Sequence, residues 1–403
     1  MKQLYVGNMF WPSLYTAGKS FASLQHNDAA DAVIIGGGMS GMICAALLAQ
    51  SGVSAIVLEQ DEIASGSSSA NTGLLQYCND IMLTELSHNI GKDNAELFYR
   101  ACRQAIDDIG QIAEKLYKQA GFQRRSSLYI ASTEQDVPKL KQECSALQAA
   151  GLQAKLWTAD QISEQYPFRR PAAIVTEGDA EIDPYLFVTS LSEYAADKGV
   201  KIYEHTEMTG YEKLSDGSLR INTSSGWHID AKHLIYAVGY EPEQLRSKLI
   251  KANLNRTFVI VTDVQSNLEQ WHERQLIWET ARPYFYMRTT EQGHIIAGGL
   301  DEAAGRTLDN KQSRLKKNSQ LLQKIQSFFP EFDAPVKYEW NAIFGESRDG
   351  LPFIGSDPLQ PNIFYSLGYG GNGTVYSMLA AGLIRDLIQG KANPLAQIVA
   401  LHR

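Results

Sequence analysis

Hydrophobic and polar positions follow several different periods along this chain. Residues 31–35 form a short apolar run, 36–40 a glycine turn, 41–50 a small-residue segment, and 54–58 a second apolar run that ends at Glu59. Apolar runs joined through a glycine turn and a small-residue segment predict strand, helix, strand, the opening of a βαβ unit. Between 93 and 119, Leu97, Phe98, Cys102, Ile106, Ile109, Ile112 and Leu116 recur at three- and four-residue spacing, which predicts one long amphipathic helix packed over the first core or its neighbour. Residues 200–239 break into short runs separated by Asp216-Gly217 and Ser225-Gly226, the pattern of a small antiparallel sheet returning to a buried strand at 234–238.

Further strands are predicted at 127–132, 258–264, 275–278, 284–288 and 294–298. Helices are predicted at 134–150, 184–198, 311–329 and 373–389, with Pro184 in a first turn and Gly390 as a stop. No repeat, linker or low-complexity tract divides these stretches, so two interleaved domains are expected. One is a Rossmann-like α/β domain made of 31–92, 158–243 and 337–403. The other is an α+β domain with an antiparallel sheet, made of 93–157 and 244–336. Residues 1–30 read as an N-terminal arm that docks through Trp11, Leu14 and Tyr15.

Composition narrows the function classes. With 403 residues, 44% of them hydrophobic, the chain can bury a sizeable core, and 37 basic against 45 acidic residues leave a net charge of −8. No run of Lys or Arg offers a phosphate-neutralising stripe, so a nucleic-acid partner is not expected. Cys44, Cys78, Cys102 and Cys144 stand far apart, and six histidines between His88 and His294 are scattered, so no metal or redox dithiol is spelled out. Residues 32–58 and 358–384 each run 27 residues without a charge. Their glycine, proline and asparagine clusters are turn chemistry, so neither reads as a membrane span. We expect a cytoplasmic protein.

The chemistry starts at Gly36-x-Gly38-x-x-Gly41, which follows a strand and opens a helix, with Glu59 closing the next strand. The first glycine permits the tight turn, the second lets backbone approach a pyrophosphate, and the third allows close helix–strand packing. Glu59 is placed to accept hydrogen bonds from ribose hydroxyls and to repel a 2′-phosphate, which together predict a dinucleotide site. After the second strand comes Ser65-Gly-Ser-Ser-Ser-Ala-Asn71-Thr-Gly73, a hydroxyl-rich turn that suits phosphate and flavin edge atoms, or else a solvated serine loop.

With Asp183-Pro184, Ala237-Val-Gly239, Asp349-Gly-Leu-Pro352-Phe-Ile-Gly355 and Gly368-Tyr-Gly-Gly-Asn-Gly373, the chain resembles the D-amino-acid oxidase superfamily of FAD enzymes. The likeness is to the branch holding glycine oxidase, sarcosine oxidase and γ-glutamylputrescine oxidase, and it spans residues 31–390. The resemblance implies that Met39 and Ser40 meet the pyrophosphate and that Glu59 and Gln60 meet the adenosine. It implies that Ser67, Ser68, Asn71, Thr72, Gly73 and Leu74 meet the phosphates and flavin, and that Met208 offers a backbone contact to adenine, with Gly239 beside the cradle. Gly370, Gly371, Asn372, Gly373 and Thr374 should lie against the isoalloxazine, at a helix start whose positive end favours negative charge on reduced flavin.

Two departures stand out. Phe344 and Gly371 occupy positions where the glycine-oxidase branch carries arginines that clamp a substrate carboxylate. The serine turn holds neither His nor Cys, so FAD should be noncovalent. On the strand Arg282-Pro-Tyr284-Phe-Tyr286-Met-Arg288, alternation puts Tyr284, Tyr286 and Arg288 on one face. That face either walls a substrate pocket, with Tyr369 and with Arg288 binding an acidic group, or is solvated surface.

The resemblance thus implies oxidation of a primary or secondary amine or amino-acid derivative to an imine by hydride transfer to flavin N5. Oxygen would be the acceptor, giving hydrogen peroxide. The alternatives are a dehydrogenase with another acceptor, alone or as one subunit of a complex, and a noncatalytic flavin-binding protein. A disulfide reductase lacks its Cys pair, and an aromatic hydroxylase its late Gly-Asp pair.

Overall fold

Strands that are apolar on both faces need cover on both sides, and the computed structural model provides it. The structure describes residues 4–15, 19–240, 252–304, 311–368 and 370–403. An eight-stranded sheet has a parallel centre formed by Ile363–Leu367, His228–Tyr236, Asp28–Ile35, Ala55–Leu58 and Lys201–Tyr203 in spatial order. Phe353–Ser356 adds an antiparallel edge, and the hairpin Met208–Lys213 and Leu219–Thr223 extends from His228–Tyr236. Helices Met39–Gln50, Lys92–Ala113, Pro184–Asp197 and Gly373–Ile388 join one apolar core over this sheet, whereas Val33, Ile56, Leu219, Ile229 and Leu234 pack on the other face.

A ten-stranded sheet lies beside it, antiparallel except where Leu276–Glu279 runs parallel to Gln123–Ile130. One face packs on the helix Lys311–Phe328 through Phe285, Met287, Leu321 and Phe328, and the other carries Val259, Val261, Ile296 and Trp340. The architecture is therefore mixed α/β, with the chain crossing repeatedly between the two sheets.

Segment membership differs from the sequence reading at several points. Ala172–Glu181 and Val336–Ser347, read with the Rossmann-like segments, are strands of the ten-stranded sheet. Conversely, Lys92–Ala113 packs with Gly373–Ile388 in the core of the other sheet. A helix buries its stripe against the nearest apolar surface, and that surface is not encoded in the helix itself. The helix also stops at Ala113, short of 119: Leu116 is extended at φ −98°, ψ 161°, and a separate turn with positive φ at Gln119, Ala120 and Gly121 follows.

The N-terminal segment is more than an arm. Tyr5–Asn8 pairs with Val336–Ser347, Phe10 and Trp11 are buried, and Tyr15 donates to Asp183 Oδ2 at 2.6 Å. Leu14, by contrast, is exposed. Among the described residues no helix is long and apolar enough to cross a membrane.

Candidate active site

The glycine turn between Ile35 and Met39 is shaped by close backbone approach. Gly36 has φ +109°, and a Cβ there would meet Ala237 O at 2.5 Å, which ties the turn to the Ala237–Gly239 segment. A Cβ on Gly41 would fall 1.8 Å from Gly36 O, so the helix start and the strand end touch only because neither has a side chain. Gly38 precedes Met39–Gln50, whose first N–H groups have no helical partner, and Met39 N–H donates to Ser68 Oγ at 2.9 Å. That bond joins the glycine cradle to the serine turn, where Ser67–Ala70 forms a single helical turn.

Glu59 stands at the cradle rim. Its Oε2 accepts from Gly37 N–H at 2.6 Å and its Oε1 from Asp61 N–H at 2.9 Å. The Glu59 backbone bonds Tyr203 and Thr206 at 2.9 and 2.8 Å, which brings the Met208 segment beside it, and Gln60 follows directly. The Ser40 hydroxyl lies 2.7 Å from that of Ser377 and joins two helices, while the residue sits in the first turn of Met39–Gln50.

From the serine turn a cleft of about 1030 Å³, open mouth included, runs between the two sheets. Ser67, Asn71, Thr72 and Leu74 form one side, and Gly370, Gly371, Asn372 and Gly373 another. Tyr284, Tyr286, Trp278 and Phe344 wall it with aromatic rings. Asn372 donates to Cys78 O and Asn79 Oδ1, which seats the loop at the start of Gly373–Ile388, while Thr374 Oγ1 is buried there with no partner. Tyr369 lies outside the described residues.

Three residues change the reading. Arg288 is not in the cleft wall; its side chain is 2% exposed, with Nε donating to Thr72 O at 2.8 Å and Nη2 to Ile182 O at 2.9 Å. Its Nη1 lies 3.3 Å from Glu181 Oε2, so the guanidinium is spent inside the protein. Alternation along the strand is kept, but packing from Gly73 and Trp11 closes over its end, with Trp11 5.3 Å from the guanidinium. The sequence reading also missed Asp80 and Asp301, both in the cleft wall. Asp80 Oδ2 accepts from Gly371 N–H at 3.0 Å. Burial first, then Asp80 and Glu346, push the Asp301 carboxyl up to about 6, against a hydrogen bond with Thr257 and the charge of Arg282. The one signal for Asp301 was Gly298-Gly299 at the end of the predicted strand 294–298, a pattern of bulges and close approach.

The match to a family model, FAD dependent oxidoreductase, covers residues 31–387. The chain belongs to this family. It is 25% identical to gamma-glutamylputrescine oxidoreductase of Escherichia coli, over 93% of this chain and 87% of the relative. Identity to glycine oxidase of Bacillus subtilis is 24%, over 90% and 93%. The crystal structure of glycine oxidase from Geobacillus kaustophilus superposes with a TM-score of 0.79 at 19% identity, covering 93% of this chain and 99% of that one. This chain is thus an FAD-dependent oxidoreductase.

The residues present fit FAD. Gly36 and Gly41 let the strand end, the helix start and the Ala237 segment close together into a cradle, the Glu59 carboxylate binds its Gly37 N–H, and Thr374 presents an unpartnered hydroxyl at a helix start. Cys78 is the thiol in the cleft wall, and burial raises it well above the ordinary thiol range, which leaves it a poor nucleophile. Acid or heat is therefore expected to release FAD into the supernatant; flavin that sediments with the polypeptide shows a covalent link. Glu59→Ala is expected to keep its circular dichroism and weaken FAD binding by about tenfold or more. Flavin absorbance after gel filtration checks this, and full retention would give the carboxylate another role.

Proposed function

We propose that this oxidoreductase oxidises a primary or secondary amine to an imine and passes the electrons to oxygen, giving hydrogen peroxide. The observation that carries the reading is the aromatic-walled cleft that opens between the serine turn and the Gly370–Gly373 loop, where the residues that fit flavin also border free space. The relatives named for glycine and for gamma-glutamylputrescine support an amino compound as substrate. Bound FAD would supply the two-electron acceptor: as the α-carbon gave up its hydrogen as hydride, the nitrogen lone pair would close the C=N bond, and the iminium would release a proton to give the imine, which water hydrolyses. The reacting nitrogen must therefore be neutral.

This chain's residues bind and orient. Tyr284 and Tyr286 keep their phenols protonated, since burial raises both above the ordinary tyrosine range, so they act as walls and hydrogen-bond donors. Phe344 stands in the wall where a clamp arginine would be expected in the glycine-oxidase branch, and no arginine lines the cleft among the described residues. Glycine is accordingly expected to be a poor substrate.

An anaerobic screen of amines and amino acids for flavin bleaching tests the reading, and peroxide release in air tests the acceptor. Bleaching without peroxide identifies a dehydrogenase. Absence of bleaching by any amine favours the noncatalytic alternative. We place the protein in the cytoplasm on the sequence reading above, a proposal that fractionation of the source cells would check.

A further inference from the structure

Strict alternation on the strand Ile295–Ala303 would put Leu300, not Asp301, over the cleft. Ile296 shares the cleft-side core with Val259 and Val261, whereas Ile295 and Ala297 pack on the opposite face. The pairing register with Ala252–Thr262 slips at this place: Arg256 faces Glu302 and Phe258 faces Gly299, so Leu300 and Asp301 together oppose Thr257. That is a β-bulge, and it reverses the pattern. Leu300 has φ +55° and packs with the opposite core, and Asp301 takes the cleft side next to Tyr286.

Space for this is made by two glycines. A Cβ on Gly298 would meet the Tyr286 phenol oxygen at 2.3 Å, and one on Gly299 would meet Tyr284 O at 2.2 Å. The carboxylate so delivered is incompletely satisfied: Asp301 Oδ1 is buried with no hydrogen-bond partner. In the same wall the Trp278 indole N–H, on a side chain buried and stacked 3.7 Å from Tyr129, is also without a partner. Thr257 bonds the carboxylate, but its buried, unpartnered oxygen costs free energy until a ligand supplies a donor.

Resting on the amine-oxidation reading, we infer that Asp301 is the specificity-determining anion of the cleft, holding a second, non-reacting cationic nitrogen of a diamine-type substrate. The reacting nitrogen is excluded from this role on chemical grounds. An ion pair with a carboxylate stabilises the protonated amine, and hydride loss needs the neutral one. Tyr284, Tyr286 and Trp278 add faces that attract a cation, and no arginine or lysine lines the cleft among the described residues to repel it. Arg282 lies 4.7 Å from the Tyr284 ring, and its charge, with those of Asp80 and Glu346 from neighbouring elements, acts on Asp301.

The test compares α,ω-diamines of three to six carbons with n-alkylamines of equal length. Binding is followed by calorimetry on the flavin-loaded enzyme, and reaction by anaerobic bleaching. Wild type is expected to bind its best diamine about tenfold or more tighter than the matched monoamine. Asp301→Asn should erase that advantage and leave monoamine binding within about twofold. In wild type, which needs no variant to fold, the ratio of diamine to monoamine affinity should fall as pH drops through about 6, because protonated Asp301 no longer pairs with the second cation, whereas protonation of the reacting nitrogen affects both classes alike. Equal affinity for both classes, or equal losses in Asp301→Asn, overturns the assignment. So does preferential binding of glycine. Bleaching by amines without a diamine advantage rejects Asp301 alone. Diamine-selective binding that depends on Asp301, with no bleaching by any amine, instead rejects the oxidation reading and keeps the anion site.

Discussion

Arg288→Ala is expected to cost about 3 kcal/mol of stability and to yield protein that loses FAD, because buried Glu181 keeps Arg125 at 2.9 Å on Oε1 but loses the cation facing Oε2. The same guanidinium holds Thr72 O and Ile182 O, the first of them on the loop that forms one side of the cleft. Removing it frees that loop and leaves two buried carbonyls short of a donor. Thermal unfolding of the variant, with and without added FAD, gives the stability loss, and gel filtration gives the flavin content. A variant that keeps its melting temperature and its flavin but shows a raised KM for acidic substrates would return Arg288 to the substrate.

Gly41→Ala is expected to be as damaging to cofactor binding through one methyl group. The added Cβ would sit 1.8 Å from Gly36 O, a backbone atom that cannot rotate away, so Met39–Gln50 must move off the strand Asp28–Ile35. Overpacking of this kind costs about 1–3 kcal/mol, and here it also displaces the N–H groups that would face a pyrophosphate. Gly210→Ala, where nothing lies within 4 Å of the added carbon, is the silent comparison. If Gly41→Ala retained flavin as well as Gly210→Ala does, the close approach would not govern the cradle.

The cradle was the most legible part of the chain. Gly36, Gly38, Gly41 and Glu59 lie within one strand–helix–strand unit, so short-range spacing decides their geometry, and they assemble as the motif requires. The helix starting at Gly373 and the aromatic strand with Tyr284 and Tyr286 were also readable from their own periods. Errors cluster where a residue's surroundings come from elsewhere. The alternation that aligned Arg288 with Tyr286 was right for the strand, yet Glu181, Ile182 and Thr72, all distant in sequence, enclose its end.

By itself, then, the sequence determined the local devices: the glycine turn, the acidic strand end, the serine turn and the periods of the helices and strands, all set by sterics and hydrogen bonding within a few residues. Only the tertiary structure decided which sheet each segment joins, that the N-terminal strand belongs to the larger one, and which charge reaches the cleft. Arg288 is withdrawn by a buried ion pair and Asp301 is delivered by a bulge. Both follow from one chain segment packing against another far away, where burial and register outweigh what either segment prefers alone.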